Sequence, residues 1–184
     1  DRVIADPVLS CGARDIYPPC PKCQEWEFSQ CLNFTEGNIS PGLMIGSCKD
    51  TGGSWGEYYI AHEFQLFKVP EKVKDENAIL VDAFCSALHP VMRNFPKDND
   101  TVLIIGAGSI GINVIASLRA LGSKARIIIL ARYKFQGEIA KSYGADEVIY
   151  TKGLDTYKLY SKVLDFTGGK ILKSVLGKPL VVGG

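Results

Sequence analysis

A glycine-rich turn between two apolar segments constrains the fold of this 184-residue chain more than any other feature. The turn "GAGSIG" follows the strand-like run "TVLII" and opens the helix-like run "SIGINVIASLRALGS". Gly106 permits the tight bend, Gly108 lets a pyrophosphate approach the backbone, and Gly111 lets helix and strand pack closely. With Ser109 and Ile110 at the helix N-terminus, the pattern predicts a dinucleotide-binding turn. A tight turn without a ligand is the alternative.

The end of the next apolar strand bears on which dinucleotide is bound. About twenty residues past such a turn, an NAD site places Asp or Glu to bind the ribose hydroxyls. This sequence has Ala131 there, in "ILARYK". Arg132 and Lys134 could pair with a 2′-phosphate, and Tyr133 or Arg132 could stack on adenine. The pattern therefore favours NADP over NAD, unless "RYK" is an ordinary exposed loop.

Strand-like and helix-like segments alternate from Thr101 onward. The strands "TVLIIGAG", "ARIIILAR" and "ADEVIY" are apolar without alternation, and amphipathic segments separate them. This rhythm predicts an α/β fold with a parallel sheet covered on both faces. Upstream, "KDENAILVDAFCSALHPVMRNF" is predicted to be one helix with Asp75 as its N-cap. The chain begins without Met and stops at "KPLVVGG", where another strand would be expected, so we expect a fragment of a longer polypeptide.

Four cysteines lie close together in a polar, proline-containing segment. Cys20, Cys23 and Cys31 have Cys-x2-Cys-x7-Cys spacing, and eight residues separate Cys11 from the first of them. Four thiolates in a tetrahedron suit zinc, and a closed shell of four leaves no position for water. We therefore predict a structural zinc site. Free buried thiols, or three ligands beside an unrelated Cys11, are the alternatives.

Charge and hydropathy exclude several classes of function. The net charge is +1, which predicts no nucleic-acid surface and no strongly acidic partner. No run approaches the roughly 18 apolar residues of a membrane helix, and the first residues lack a signal peptide's pattern. We expect a cytoplasmic protein that does not bind a membrane.

The order of these features carries a family resemblance. "GARDIYPPCPKCQEWEFSQC", "GGSWGEYYIAHEFQLFKVPE", "VDAFCSALHPV" and "VLIIGAGSIG" follow one another along the chain. This order resembles the zinc-dependent alcohol dehydrogenases of the medium-chain dehydrogenase/reductase family, in particular the polyol, threonine and glucose dehydrogenases, over about residues 1 to 150. The resemblance implies that residues 1-82 form part of a GroES-like catalytic domain. Residues 83-184 would form the N-terminal part of a Rossmann domain, a doubly wound parallel sheet.

The resemblance also implies roles for individual residues. The structural zinc would bind Cys11, Cys20, Cys23 and Cys31, although the family's usual first gap is two residues. Asp82 occupies the place of one catalytic-zinc ligand. The family's other ligands, a Cys and a His-Glu pair, lie upstream of Asp1. His62 and Glu63 come in the wrong order and are expected to be ordinary strand residues.

The activity implied by the resemblance is hydride transfer between an alcohol and NAD(P), with zinc as the metal. The substrate would be a small polyol, sugar or amino alcohol, or the matching carbonyl compound, and the full-length protein would be a homo-oligomer. No catalytic residue is assigned within the chain, so the chain alone is predicted to be inactive. A non-catalytic member that senses a nucleotide or a metal is the alternative.

Overall fold

A computed structural model describes residues 1–155, 158–159 and 161–162. The chain divides into two compact units, the first from Asp1 to Ala78 and the second beginning at Ile79. The assignment of residues 1-82 and 83-184 to the two domains stays a prediction. The terminal segment "KPLVVGG", after which a further strand was expected, lies outside the described residues. Every helix among the described residues is too short or too polar to span a lipid bilayer.

The first unit contains little regular secondary structure. Strands β1 (Val3–Ala5) and β2 (Leu66–Lys68) pair antiparallel. Its α-helices are α1 (Pro21–Gln24) and α2 (Asp75–Ala78), and three short 3₁₀ helices span Gly12–Arg14, Phe28–Gln30 and Glu63–Gln65. Two three-residue strands provide few ladder hydrogen bonds, so backbone hydrogen bonds in turns and side-chain contacts stabilise much of this unit.

Arg14 supplies many of those interactions. Its side chain is fully buried, and its Nε donates a hydrogen bond to the carbonyl of Leu9 at 2.9 Å. The two Nη atoms donate to four further carbonyls at 2.6–3.2 Å, those of Glu36, Ile39, Ser40 and Gly42. One guanidinium therefore fixes the 36–42 loop against the segment that precedes Cys11.

The second unit contains the predicted parallel sheet. Strands β3 (Thr101–Ile105), β4 (Arg126–Ala131) and β5 (Glu147–Tyr150) are parallel in the order β3-β4-β5. Helix α4 (Ser109–Ala120) connects β3 to β4, and α5 (Lys134–Ser142) connects β4 to β5. This arrangement confirms the α/β fold class.

The central strand β4 is buried on both of its faces. Ile127 and Ile129 of β4 belong to a buried cluster with Ile115 and Leu118 of α4. The intervening residues of β4 belong to a second cluster, composed of Ile128, Leu130 and Ile149, with Leu159 packed against it. Because both sets of side chains are buried, β4 is covered on both faces, and it pairs with β3 on one side and with β5 on the other.

The segment before β3 differs from its prediction. Instead of one helix, the structure has α2 and a separate helix α3 (Val81–Arg93). Asp75 is the first residue of α2, and its carboxylate accepts a hydrogen bond from Arg2 Nε at 2.9 Å. The predicted N-cap was therefore wrong, because this carboxylate binds an arginine near β1 in place of a helix N–H group.

Candidate metal centre and nucleotide-binding turn

The structure brings the four clustered cysteines together. Their Sγ atoms all lie within 4.8 Å of one another, and all four residues are buried. Cys11 Sγ and Cys31 Sγ are 3.7 Å apart. A tetrahedral zinc with ligands at about 2.3 Å separates its sulfurs by roughly 3.8 Å. The donor set therefore fits zinc, and no other metal-binding group of three or more His, Cys, Asp or Glu occurs among the described residues.

Short elements within residues 11–33, the zinc lobe, present these sulfurs. Cys20 precedes α1, which contains Cys23, and Cys31 follows the 3₁₀ helix Phe28–Gln30. The eight residues between Cys11 and Cys20 do not simply loop away. Ile16 N–H donates to the carbonyl of Cys11 at 3.0 Å, and the Ile16 side chain packs against the cysteines. The long first gap thus supplies part of the apolar cover of the cluster.

Backbone and side-chain N–H groups point at the sulfurs. Cys20 N and Asn33 Nδ2 donate to Cys11 Sγ at 3.4 and 3.3 Å. Leu32 N donates to Cys20 Sγ at 3.5 Å, and Asn33 N to Cys31 Sγ at 3.4 Å. Such partners orient metal ligands and stabilise thiolates. Asn33 was not predicted from the sequence, where its only signal is an amide side chain two residues after a candidate ligand.

These surroundings affect the thiols differently. The Leu32 N–H group stabilises the thiolate and lowers the pKa of Cys20 to about 6. Burial raises the pKa of Cys23 and of Cys31 above the usual value for a thiol. A metal must therefore displace protons from Cys23 and Cys31, so affinity for zinc should fall as the pH falls.

The glycine turn has the conformation expected after β3. Gly106 has a φ of +104°, which favours glycine. A Cβ atom on Gly111 would overlap the carbonyl oxygen of Gly106. At Gly108, in contrast, an added Cβ would meet nothing within 4 Å. Fold geometry therefore requires the first and third glycines, whereas Gly108 leaves open space in front of the backbone.

The helix that follows offers donors beside that space. Helix α4 begins at Ser109, and no side chain caps it. The first N–H groups of a helix have no intrahelical acceptor, which leaves those of Ser109, Ile110 and Gly111 free for an anion. Open backbone at Gly108 and an uncapped helix N-terminus together fit the pyrophosphate of a dinucleotide.

The predicted 2′-phosphate residues lie where β4 ends. Ala131 is fully buried, whereas Arg132, Tyr133 and Lys134 are exposed. Because β3 and β4 are parallel neighbours, these residues and the glycine turn follow the same edge of the sheet. Tyr133 also stacks on Phe135, with ring centroids 5.9 Å apart. Phe135 was not among the predicted site residues, which end at Lys134.

Asp82 and His62 belong to no group of three or more metal-binding side chains among the described residues. Asp82 is exposed in the first turn of α3, and its role as a catalytic-zinc ligand stays a prediction. His62 Nδ1 accepts a hydrogen bond from Phe64 N–H at 3.0 Å, and its Nε2 lies 3.2 Å from Asp15 Oδ1. His62 therefore caps the 3₁₀ helix Glu63–Gln65, and the expectation of a strand there was wrong.

Comparison with known proteins identifies curated relatives. No family model matches the chain. It is 30% identical over 149 residues to the starvation-sensing protein RspB of Escherichia coli K12, covering 81% of this chain and 39% of that protein. It is 26% identical over 183 residues to galactitol 1-phosphate 5-dehydrogenase of the same organism, covering 99% of this chain and 48% of that protein. The chain thus spans less than half the length of these relatives.

Solved structures agree with the fold. A zinc-binding dehydrogenase from Sinorhizobium meliloti 1021, bound to NADP, superposes with a TM-score of 0.62 at 26% identity, over 81% of this chain and 39% of that one. Solved relatives hold NADH or NADP. The expected resemblance is confirmed, since the homologues of this chain are the zinc-binding medium-chain alcohol, polyol and threonine dehydrogenases.

Proposed function

We propose that this chain is the zinc-lobe and nucleotide-turn portion of an NAD(P)-dependent alcohol dehydrogenase with a preference for NADP. The main support for this proposal is the open backbone at Gly108 beside the uncapped N-terminus of α4. Such a site accepts a pyrophosphate through N–H groups alone. When bound, the nicotinamide of the cofactor would accept or return a hydride.

Each group of residues has its own part in this proposal. The N–H groups of Ser109, Ile110 and Gly111 bind the pyrophosphate, and Arg132 and Lys134 bind the 2′-phosphate through their positive charges. Tyr133 lies between these two cations. The structural zinc would be held by Cys11, Cys20, Cys23 and Cys31. Because four thiolates complete its coordination shell, this zinc stabilises the lobe and takes no part in hydride transfer.

The substrate would be a small alcohol, or the carbonyl compound formed from it. Relatives named for galactitol 1-phosphate, sorbitol and threonine support a polyol, sugar or amino alcohol. Asp82 would contribute one ligand of a second, catalytic zinc. We expect a cytoplasmic homo-oligomer as the active form and no turnover by the 184-residue chain alone; alcohol oxidation by this chain would contradict that expectation.

Nucleotide binding by the 184-residue chain tests the proposal. We expect NADPH to bind more tightly than NADH in a fluorescence titration. Arg132→Ala should weaken NADPH binding by about tenfold or more, because a charge-assisted hydrogen bond contributes about 1.5–3 kcal/mol, and should leave NADH binding nearly unchanged. Lys124→Ala, which removes an exposed cation before β4, is the matched control. Failure to bind either nucleotide would contradict the proposal.

A non-catalytic sensor of a nucleotide or metal is the second candidate. It is favoured by one relative's name, a starvation-sensing protein, and by the isolation of Asp82 from other metal-binding groups among the described residues. The complete open reading frame distinguishes the two candidates. A Cys and a His-Glu pair encoded before Asp1 would support the enzyme, and their absence would support the sensor.

A further inference from the structure

A short stack of side chains follows β4 and includes a residue to which no role has been assigned. We propose that Tyr133 and Phe135 are positioning residues for nucleotide specificity, because their rings hold the guanidinium of Arg132 where a 2′-phosphate would bind. The inference rests on the proposed function and deepens it, by separating the residue that binds the phosphate from the residues that orient it.

The two cations next to Tyr133 are not equivalent. Lys134 Nζ lies 3.8 Å from Glu138 Oε1, one turn along α5. Arg132 forms no ion pair with any carboxylate in the described part of the chain. Its guanidinium can therefore accept a phosphate without first giving up a carboxylate partner. Arg132 should thus discriminate between NADPH and NADH more strongly than Lys134 does.

The aromatic rings restrict where that guanidinium lies. Arg132 Cζ is 5.5 Å from the centroid of the Tyr133 ring, within the roughly 6 Å range of cation–π attraction. The Tyr133 ring stacks on Phe135 with an interplanar angle of 13°. The backbone of Tyr133 is held as well, since its N–H donates to Gln136 Oε1 at 3.2 Å. Phe135 and Gln136 therefore fix Tyr133, and Tyr133 in turn orients Arg132.

Core packing does not account for this pair of rings. Tyr133 is 42% exposed and Phe135 is 59% exposed, so neither ring is buried in an apolar cluster. The stacking of the two rings and the contact of Tyr133 with Arg132 assign Tyr133 to supporting the cation. From the sequence, Tyr133 was a candidate for stacking on adenine. Holding Arg132 in advance lowers the conformational entropy lost when it binds phosphate.

Titration of NADPH and NADH into the 184-residue chain and its variants tests the inference. Tyr133→Leu should weaken NADPH binding about two- to five-fold, the range of an exposed cation–π contact, and leave NADH binding unchanged. Phe135→Leu should have a smaller effect in the same direction. Tyr133→Phe should bind NADPH as the parent does, because the ring and not the hydroxyl contacts Arg132. Tyr143→Leu, a half-exposed tyrosine after α5, is the control.

A double-mutant comparison separates positioning from general damage. In an Arg132→Ala background, Tyr133→Leu should have no further effect on NADPH binding. Additive effects in that background, equal losses for NADPH and NADH, or an unchanged preference in both Leu variants would overturn the inference alone. Binding of neither nucleotide by the parent chain would overturn the proposed function, and the inference with it.

Discussion

Different kinds of interaction stabilise the interior of each of the two units. The first unit has only a small apolar cluster around Leu9, and it adds four buried cysteines and the carbonyl contacts of Arg14. The second relies on a parallel sheet whose central strand is buried from Ile127 to Ala131. A unit with two three-residue strands has little sheet to bury. We therefore expect the first unit to depend on a metal bound by its four cysteines, and the second to be independent of it.

Arg14 in the first unit and Arg119 in the second show the same difference between the units. Arg14 is fully buried, and carbonyls are its only side-chain hydrogen-bond acceptors among the described residues. Arg119 of α4 also binds carbonyls, but its Nη2 lies 2.8 Å from Asp146 Oδ2, and its side chain is 27% exposed. A buried cation without a carboxylate depends on every carbonyl staying in place. The first unit should therefore tolerate local change less well than the second.

Metal removal should have the largest effect. We expect one zinc per chain, lost in Cys11→Ser but retained in Cys85→Ser, since Cys85 is exposed and outside the cluster. Structural zinc sites contribute about 10–16 kcal/mol of apparent binding free energy, so chelation should unfold the first unit. Hydrogen exchange should then accelerate in residues 9–48 and stay slow in β4. Unchanged exchange in the first unit after complete zinc loss would contradict the contrast between the units.

Replacing the buried arginine should have the next largest effect. Arg14→Met removes five donors, leaves their carbonyls without these partners, and should lower the free energy of unfolding of the first unit by about 3–5 kcal/mol. Exchange in the 36–42 loop should report the change. Arg119→Met is the matched variant and should destabilise the second unit less, because water reaches part of that side chain. A larger loss from Arg119→Met would reverse the comparison.

A cavity in the sheet core tests whether the second unit depends on its apolar core. Ile129→Ala should lower the free energy of unfolding of the second unit by about 2–5 kcal/mol, because Ile129 is fully buried in β4. Zinc content should stay at one per chain. Denaturant unfolding followed by hydrogen exchange measures both units in one experiment. Loss of zinc in this variant would show that the lobe depends on the sheet core.

Sequence reasoning succeeded where one local pattern determines one structure. The apolar run "RIIIL" allowed only a strand buried on both faces, and the glycines of "GAGSIG" required a turn between strand and helix. It was wrong at Asp75 and His62, where a residue distant in the sequence determines what the side chain binds. Arg2 binds the first, and the second caps a 3₁₀ helix while pairing with Asp15. Partners more than forty residues away leave no trace in local periodicity.

Residue type and spacing are enough to predict the parallel α/β unit, the glycine turn and the candidate metal ligands. Folding brings Cys11 to the other three cysteines and places Asn33 as a hydrogen-bond donor to two of the four sulfurs, and neither follows from the sequence alone. Only the structure showed that Phe135 supports Tyr133 beside Arg132. A metal site and an oriented side chain both depend on distances between atoms in space. The spacing of residues along the chain limits these distances but does not fix them.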